Sequence, residues 1–306
     1  LGTDAKGLSA STVTRLKAVW EDEYAEWSRR SLAGKRYVYM WADGIYSNVR
    51  FNDNEGRTKD ENRQCLLVLM GATADGTKEL IAVVDGHRES ELSWKEVLLS
   101  LKARGLMHAP ELAIGDGALG FWKALEQVFP GTRIQRCTVH KTANVLNSLP
   151  KSIQPQAKRM LHDIWKAGTK DAAEQAFDLF VRTFEAKYEK SVKCLKKDRD
   201  VLLTFFDFPA ENWCHIRTTN PIESTFATIR LRHRKTKGNG SAKASLTMMF
   251  KLAQSASKGW RKLRGHHHIP DLIRGIKFID GVSENQLEED DRKPSQTRTI
   301  QTEIVA

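Results

Sequence analysis

Between residues 37 and 137 the apolar residues change their period, and that change restricts the possible fold more than any other feature of the sequence. Residues 37–41 are aromatic and β-prone, and residues 47–51 follow a short turn. Residues 65–72 and 79–84 are apolar runs of the buried-strand type, joined by Thr73-Ala74-Asp75-Gly76-Thr77. Asp-Gly between two such runs is a hairpin signal, so this block predicts an antiparallel meander. The pattern then alternates. Residues 90–104 carry Leu92, Val97, Leu98 and Leu101 at helical spacing and stop at Gly105; residues 112–114 are a short strand; residues 121–128 form a helix before Pro130; residues 133–137 form another strand. Strand, helix, strand requires a crossover and hence parallel pairing. A meander followed by two parallel strands is an α/β fold with a mixed five-stranded sheet flanked by helices.

From 139 to 206 no strand pattern is present. Met160, Leu161, Ile164 and Trp165, then Phe177, Phe180, Val181 and Phe184, then Leu202, Phe205 and Phe206 keep helical spacing, which predicts an all-helical block. Residues 208–220 read as a loop, 222–232 as a helix, 235–241 as a Gly-rich basic break and 242–263 as a further helix. At the front, residues 9–31 read as a helix capped by Ser9 or Ser11. The expected units are 1–34, 35–138, the helical insertion 139–210, a completing part 211–282, and a disordered tail 283–306 poor in apolar residues.

Charge is unevenly placed. The 306 residues hold 49 Lys and Arg against 38 Asp and Glu, and the excess of 11 sits wholly between Ser224 and Pro270, where no acidic residue occurs. Localised positive charge of this kind fits a polyanion, nucleic acid before others, although a plain solvated face has the same composition. No apolar run approaches the ~18 residues of a membrane span. Four scattered cysteines fit a reducing interior rather than a disulfide framework. The first residues, LGTDAKGLSAS, lack a basic start followed by an apolar stretch, so a cytoplasmic location is expected. Because the sequence opens at Leu1 and not at Met, it also reads as a fragment of something longer.

Three carboxylates stand out by position. Asp43 follows the first strand in Trp41-Ala42-Asp43-Gly44, and Asp116 follows the fourth in Gly115-Asp116-Gly117. If those strands are neighbours, the two side chains project side by side. Glu223 lies in Asn220-Pro221-Ile222-Glu223-Ser224, in the first turn of the helix that opens the basic segment. Each alone is ordinary for a turn or a helix start. Together they repel one another unless a hard divalent cation sits between them, and oxygen-only ligands favour Mg²⁺ or Mn²⁺. Two such ions, about 3.5–4 Å apart, can activate a water or a 3′-hydroxyl for in-line phosphodiester displacement.

The strings ADGIY around Asp43, GDGA around Asp116 and TTNPIES around Glu223 resemble the mutator-type insertion-sequence transposases of bacteria, relatives of the plant Mutator transposases. So do DGHRESELSWKEVLLSLKARGL from Asp85 and RCTVHKTANVLNSLP from Arg136; the likeness runs over roughly residues 8–281. The resemblance implies an RNase H-like catalytic fold and a DDE transposase, with Asp43, Asp116 and Glu223 as its metal-binding triad. It implies that the enzyme cuts at transposon ends and joins the freed 3′-hydroxyl to target DNA. Family members are similar in carrying a helix-turn-helix region ahead of the catalytic domain. Residues 1–34 would be its remnant, with Ser9, Ser11, Thr12 and Thr14 on either a recognition helix or a plain lead-in helix.

Other residues suggest supporting roles. Cys137 and His140 form Cys-x-x-His, a signature the family shares at the start of the insertion. Zinc is one reading, with Cys214 and His215 as partners; local packing or a DNA contact is the other. Trp213 would stack on an unpaired base or simply fill the core, and Arg217 would hold a phosphate. Arg230, Arg232, Arg234, Lys235 and Lys237 are the candidates for gripping the DNA backbone, and His266-His267-His268 reads as solvated surface. The expected partners are double-stranded DNA, as element ends and target, and further copies of the same chain. Two rivals remain: a catalytically silent DNA-binding fragment derived from a transposase, and a simpler RNase H-like nuclease.

Overall fold

The computed structural model describes residues 9–48, 63–86, 88–117, 119–235 and 241–292. Helix α1 (Ala10–Arg29) leads into β1 (Tyr37–Asn48), β2 (Arg63–Thr73) and β3 (Lys78–Gly86). Then α2 (Glu91–Ala103), β4 (Leu112–Gly115), α3 (Leu119–Val128) and β5 (Arg133–Arg136) alternate. The sheet order is β3-β2-β1-β4-β5, with β1, β2 and β3 antiparallel and β4 and β5 parallel to β1. This is the expected mixed five-stranded sheet of an RNase H-like fold. Side chains alternate across it: Leu66, Val68, Met70 and Ala72 of β2 join one core, while Cys65, Leu67 and Leu69 join the other, built with Trp94, Leu98 and Leu101 of α2 and Phe121 and Leu125 of α3.

The insertion is helical throughout: α4 (Thr138–Leu146), α5 (Gln154–Trp165), α6 (Lys170–Phe184), α7 (Glu189–Lys196) and α8 (Arg199–Leu202). Its buried Leu161, Ile164, Phe177, Phe180 and Phe206 are continuous with Tyr39 and Trp41 of the sheet, so the insertion shares the core of one sheet face. The chain returns through α9 (Trp213–Ile216) to α10 (Asn220–Lys235), α11 (Ala242–Ser257) and α12 (Ile269–Ile273), and a short hairpin of β6 (Phe278–Ile279) and β7 (Val282–Ser283) precedes α13 (Glu284–Arg292).

Four sequence readings differ from the structure. The first strand does not stop at Trp41: β1 runs unbroken past Asp43 and Gly44, because β2 pairs with it along its full length, Asp43 lying opposite Val68. The 208–220 stretch is not a plain loop, since it holds a 3₁₀ turn at Ala210–Asn212 and α9. The last basic helix ends at Ser257 and not at 263, shortly before Gly259. The tail keeps helical order over Glu284–Arg292, with Glu284 in the first turn; residues 293–306 lie outside the described residues.

Helix α1 starts at the expected cap, Ser9 Oγ accepting from Thr12 N at 3.2 Å. It docks on α11, Trp27 meeting Phe250 with ring centroids 4.7 Å apart and Glu21 pairing with Lys243 at 2.6 Å. The C-terminal parts of α1 and α2 also guard the sheet edge. Tyr24 Oη donates to Val83 O at 2.8 Å, Arg30 to Leu80 O at 2.8 Å, and Arg104 to Ile81 O at 3.3 Å, so outward carbonyls of β3 are satisfied by side chains. Among the described residues no helix is long and apolar enough to cross a membrane.

Gly120 in α3 lies where a Cβ would fall 2.6 Å from Glu89 O and Glu91 N. Gly120→Ala should therefore destabilise by about 1–3 kcal/mol despite its better helix propensity; a urea midpoint equal to or above the parent's would contradict this. His215 is neutral in the fold: its Nε2 accepts from Arg264 N at 3.1 Å, and burial, then Lys78 and Arg264, push its pKa down to about 4. The unfolded chain binds that proton near pH ~6.5, so stability should fall as the pH drops from about 6.5 to about 4. The slope is at most about 1.4 kcal/mol per pH unit, less where solvent screens the ring. Urea midpoints at both ends of that window should converge more for the parent and His215→Gln at low pH; an identical pH dependence in the two would count against it.

Candidate active site

The parallel ladder between β1 and β4 ends at Ala42 opposite Gly115. Asp43 and Asp116 are the next residues on each side, so two carboxylates leave adjacent strands at one level. On its other flank β1 continues to pair with β2, which keeps the Asp43 backbone in the sheet. Both aspartates line a small cleft together with Glu89, over a floor of Trp94 and Phe121. Gly44 makes room for Glu89, since a Cβ there would lie 2.2 Å from its carboxyl carbon. Burial raises the Glu89 pKa, the negative charge of Asp116 adds to this, and a hydrogen bond with Tyr46 opposes it. Oδ1 of Asp116 is buried without a hydrogen-bond partner; the guanidinium of Arg136 is 3.9 Å away.

Glu223 lies in the first turn of α10, and its charge and that of Asp116 both bear on His140. Thr219 Oγ1 donates to Glu223 Oε1 at 2.6 Å, and that contact uses the single hydroxyl proton. The same oxygen is 3.3 Å from Cys137 Sγ and 3.4 Å from His140 Nδ1, while Thr219 N donates to Cys137 Sγ at 3.4 Å. A second strap lies beside it, where Thr138 N and Oγ1 donate to Arg217 O at 3.0 and 3.1 Å. The start of the insertion is thus tied to the segment that delivers Glu223. His140 Nε2 stands 3.6 Å from Glu223 Oε1. Its hydrogen bond with Cys137, and then the charges of Cys137, Asp116 and Glu223, raise its pKa to about 9 against the opposing effect of burial. Burial pushes the Cys137 thiol up, but its hydrogen bonds with His140 outweigh that, helped by Thr219, and hold it below the ordinary thiol range. An imidazolium therefore feels two of the three carboxylates at neutral pH.

The donor chemistry fits a hard divalent cation. Asp43, Asp116 and Glu89 offer only oxygen, and a buried, unpartnered carboxylate oxygen is what such an ion satisfies. Ligand atoms of Cys137, His140 and Glu223 also lie within 4.8 Å of one another. The proposed zinc partners do not join them: Cys214 is exposed and contacts Glu211 O, and His215 is held by Arg264.

Other expected site residues are placed differently. Trp213 fills core, its Nε1 donating to Phe208 O at 2.7 Å and its ring meeting Phe205 and Phe206 edge-on. Arg217 spends one donor on Trp165 O at 2.8 Å. Arg230, Arg232, Arg234 and Lys235 are on α10, but their side chains, and Lys237 altogether, lie outside the described residues. His267 and His268 come within 4.8 Å of Glu211 on a 3₁₀ turn. Sequence reasoning missed Glu89 and Thr219. No local pattern marks Glu89, which matters only because the start of α2 lies over β1. Thr219 had a signal, a hydroxyl residue four positions before Glu223 at a helix entrance.

With this geometry in view, comparison with known proteins is decisive: a family model described as Transposase, Mutator family, matches residues 2–262. The chain belongs to the Mutator family of transposases. It is 50% identical over 300 residues to the transposase for insertion sequence element IST2 of Acidithiobacillus ferrooxidans, covering 96% of each chain. It is likewise 50% identical over 281 residues to that for IS6120 of Mycolicibacterium smegmatis, covering 92% of this chain and 84% of the relative. A more distant member, the transposase for IS256 in transposon Tn4001 of Staphylococcus aureus, is 29% identical over 236 residues, 75% of this chain and 57% of the relative.

In this Mutator-family chain Thr219 offers a specific check. Thr219→Val keeps the shape and removes the hydroxyl, leaving the Glu223 oxygen without its 2.6 Å donor. The expected loss is about 1–2 kcal/mol of stability, with Thr219→Ser close to the parent. Equal urea midpoints for the valine and serine variants would show that the hydroxyl contributes nothing.

Proposed function

We propose that this chain is a DDE-type transposase that cleaves a phosphodiester at an element end and transfers the resulting 3′-hydroxyl to target DNA. The observation that carries the reading is that Asp43 and Asp116 stand side by side on adjacent strands just past the end of their shared parallel ladder, with a buried Asp116 oxygen lacking any hydrogen-bond partner. Asp43, Asp116 and Glu223 would hold Mg²⁺ or Mn²⁺, two ions in all. The chemistry such ions supply is activation of the attacking oxygen and stabilisation of the leaving one. The protein's own contribution is placement. Two carboxylates are fixed by the sheet, and the third is oriented by Thr219 on a helix anchored to the insertion. His140 and Arg136 supply positive charge beside this cluster, which lowers the repulsion among the carboxylates.

In the first step water displaces the 3′-oxygen at the element end, leaving a 3′-hydroxyl and a 5′-phosphate. In the second that hydroxyl displaces a 3′-oxygen of the target, one phosphodiester replacing another. Both nucleophiles are oxygens outside the protein, so no covalent bond between protein and DNA is required. The acid-free segment beginning in α10, with Arg230, Arg232, Arg234, Lys235 and Lys237, would grip the backbone of double-stranded DNA without reading sequence. Joining two element ends calls for at least two protomers on DNA, and the work belongs in the bacterial cytoplasm, at the nucleoid.

Calorimetric titration with Mn²⁺ tests the site without knowledge of the element ends. The parent should bind, Asp116→Asn should lose most of that binding, and Glu223→Gln should weaken it. Equal binding by all three proteins would put the metal elsewhere and remove the main support for the reading.

A further inference from the structure

Next to the carboxylate centre, on its insertion side, lies a cleft of about 500 Å³ bounded by α4, α5 and the segment leading to α10. Its basic lining comes from two places. Lys158, His162 and Lys166 recur every fourth residue at the cleft wall of α5, Lys166 capping that helix, so they run along one face. Arg217 enters from the other side, fixed by its bond to Trp165 O. No Asp or Glu lines this cleft. Among the described residues none of Lys158, Lys166 or Arg217 forms an ion pair, whereas on α7 and α8 Lys193, Lys196 and Arg199 pair with Glu189, Glu185 and Glu174. The basic charge on α5 is therefore uncompensated where neighbouring helices neutralise theirs.

Between the cations the wall is mixed, with an apolar part. Val139 is 46% exposed there, beside Ala143 and Leu146, with Thr138 and Thr142 among them. Cationic groups flanking a partly apolar wall match a nucleotide, whose phosphate is anionic and whose base presents a flat face. The volume lies in the range of small-ligand sites, enough for a nucleotide or two and too little for a duplex. Asn220, at the start of the helix carrying Glu223, lines the same cleft and sets it beside the carboxylates.

We propose that this cleft holds unpaired nucleotides of the DNA strand next to the phosphodiester on which the triad acts, with phosphates on Lys158, Lys166 and Arg217 and bases against Val139. The proposal rests on the transposase reading and adds to it a single-strand subsite separate from the duplex-gripping basic segment.

Fluorescence anisotropy with a short labelled oligothymidylate, and separately with a labelled duplex of arbitrary sequence, tests it across a salt series. Lys158 and Lys166 are exposed, so the double variant K158A/K166A should fold, as a thermal melt would verify. It should bind the single strand roughly tenfold more weakly near physiological salt, with the salt slope reduced by about 1.4, some 0.7 for each lost phosphate contact. Duplex binding should stay at the parental level. The control K187A/K190A removes two exposed lysines from elsewhere on the insertion and should leave both affinities unchanged. Equal losses in the two double variants, or no loss in K158A/K166A, would overturn the subsite. A parent that binds duplex but not the single strand would overturn the subsite alone; a parent that binds neither would overturn the transposase reading with it.

Discussion

Parallel pairing of β1 with β4 stops at Ala42 and Gly115, and the character of the site depends on where that ladder ends. One residue further along each strand stands an aspartate. Because β1 remains paired to β2 beyond this point, Asp43 is held in the sheet by backbone hydrogen bonds on that flank. Two like charges are thereby set side by side on the stiffest part of the fold, an arrangement that is unfavourable unless positive charge is supplied to it. The surroundings supply some, through Arg136 and the His140 imidazolium, while leaving an Asp116 oxygen without a partner.

The third carboxylate arrives by a longer route, and the insertion explains how it arrives accurately. Between β5 and α10 the chain leaves the sheet for a block of helices whose aromatic residues, among them Phe177, Phe180 and Phe206, merge with the core of the sheet. The block therefore cannot swing freely. Where it closes, Thr138 meets Arg217 and Cys137 meets Thr219, so the first and last residues of the excursion are sewn together. Glu223 follows within one helical turn, already bonded to Thr219. The Cys-x-x-His signature acts here through its neighbours: Cys137 anchors the threonine that orients Glu223, and His140 balances the carboxylate's charge.

Features set by local chemistry were readable from the residues alone. The change of period after residue 86 foretold which strands are antiparallel and which parallel, and the Ser9 cap marked the start of α1. The positions of Asp43 and Asp116 followed once strand adjacency was assumed. Features set by a distant partner were not readable. Asp43-Gly44 looks like a turn in isolation, and only the full-length pairing with β2 makes it strand. Glu89 gains meaning from a glycine forty-odd residues earlier in the sequence that lets it approach. Trp213 and Arg217 have the chemistry for DNA, but the nearest partners of the first are Phe205, Phe206 and Phe208 O, and one bond of the second goes to Trp165. The basic stripe on α5 was hidden because its own helix is otherwise ordinary; it acquires direction only when Arg217 is folded opposite it.

Asp43, Asp116 and Glu223, far apart in sequence, would serve one metal centre. Replacing Mg²⁺ by Fe²⁺ and generating hydroxyl radicals with ascorbate and peroxide cuts a polypeptide only near the bound metal, so the cut sites report its ligands directly. Backbone scission should cluster near all three residues in the parent chain, be suppressed together by excess Mg²⁺ and be abolished together by Asp116→Asn. Cuts confined to the neighbourhood of His266 to His268, or cuts at Asp43 and Asp116 with none at Glu223, would contradict a single centre built from the three.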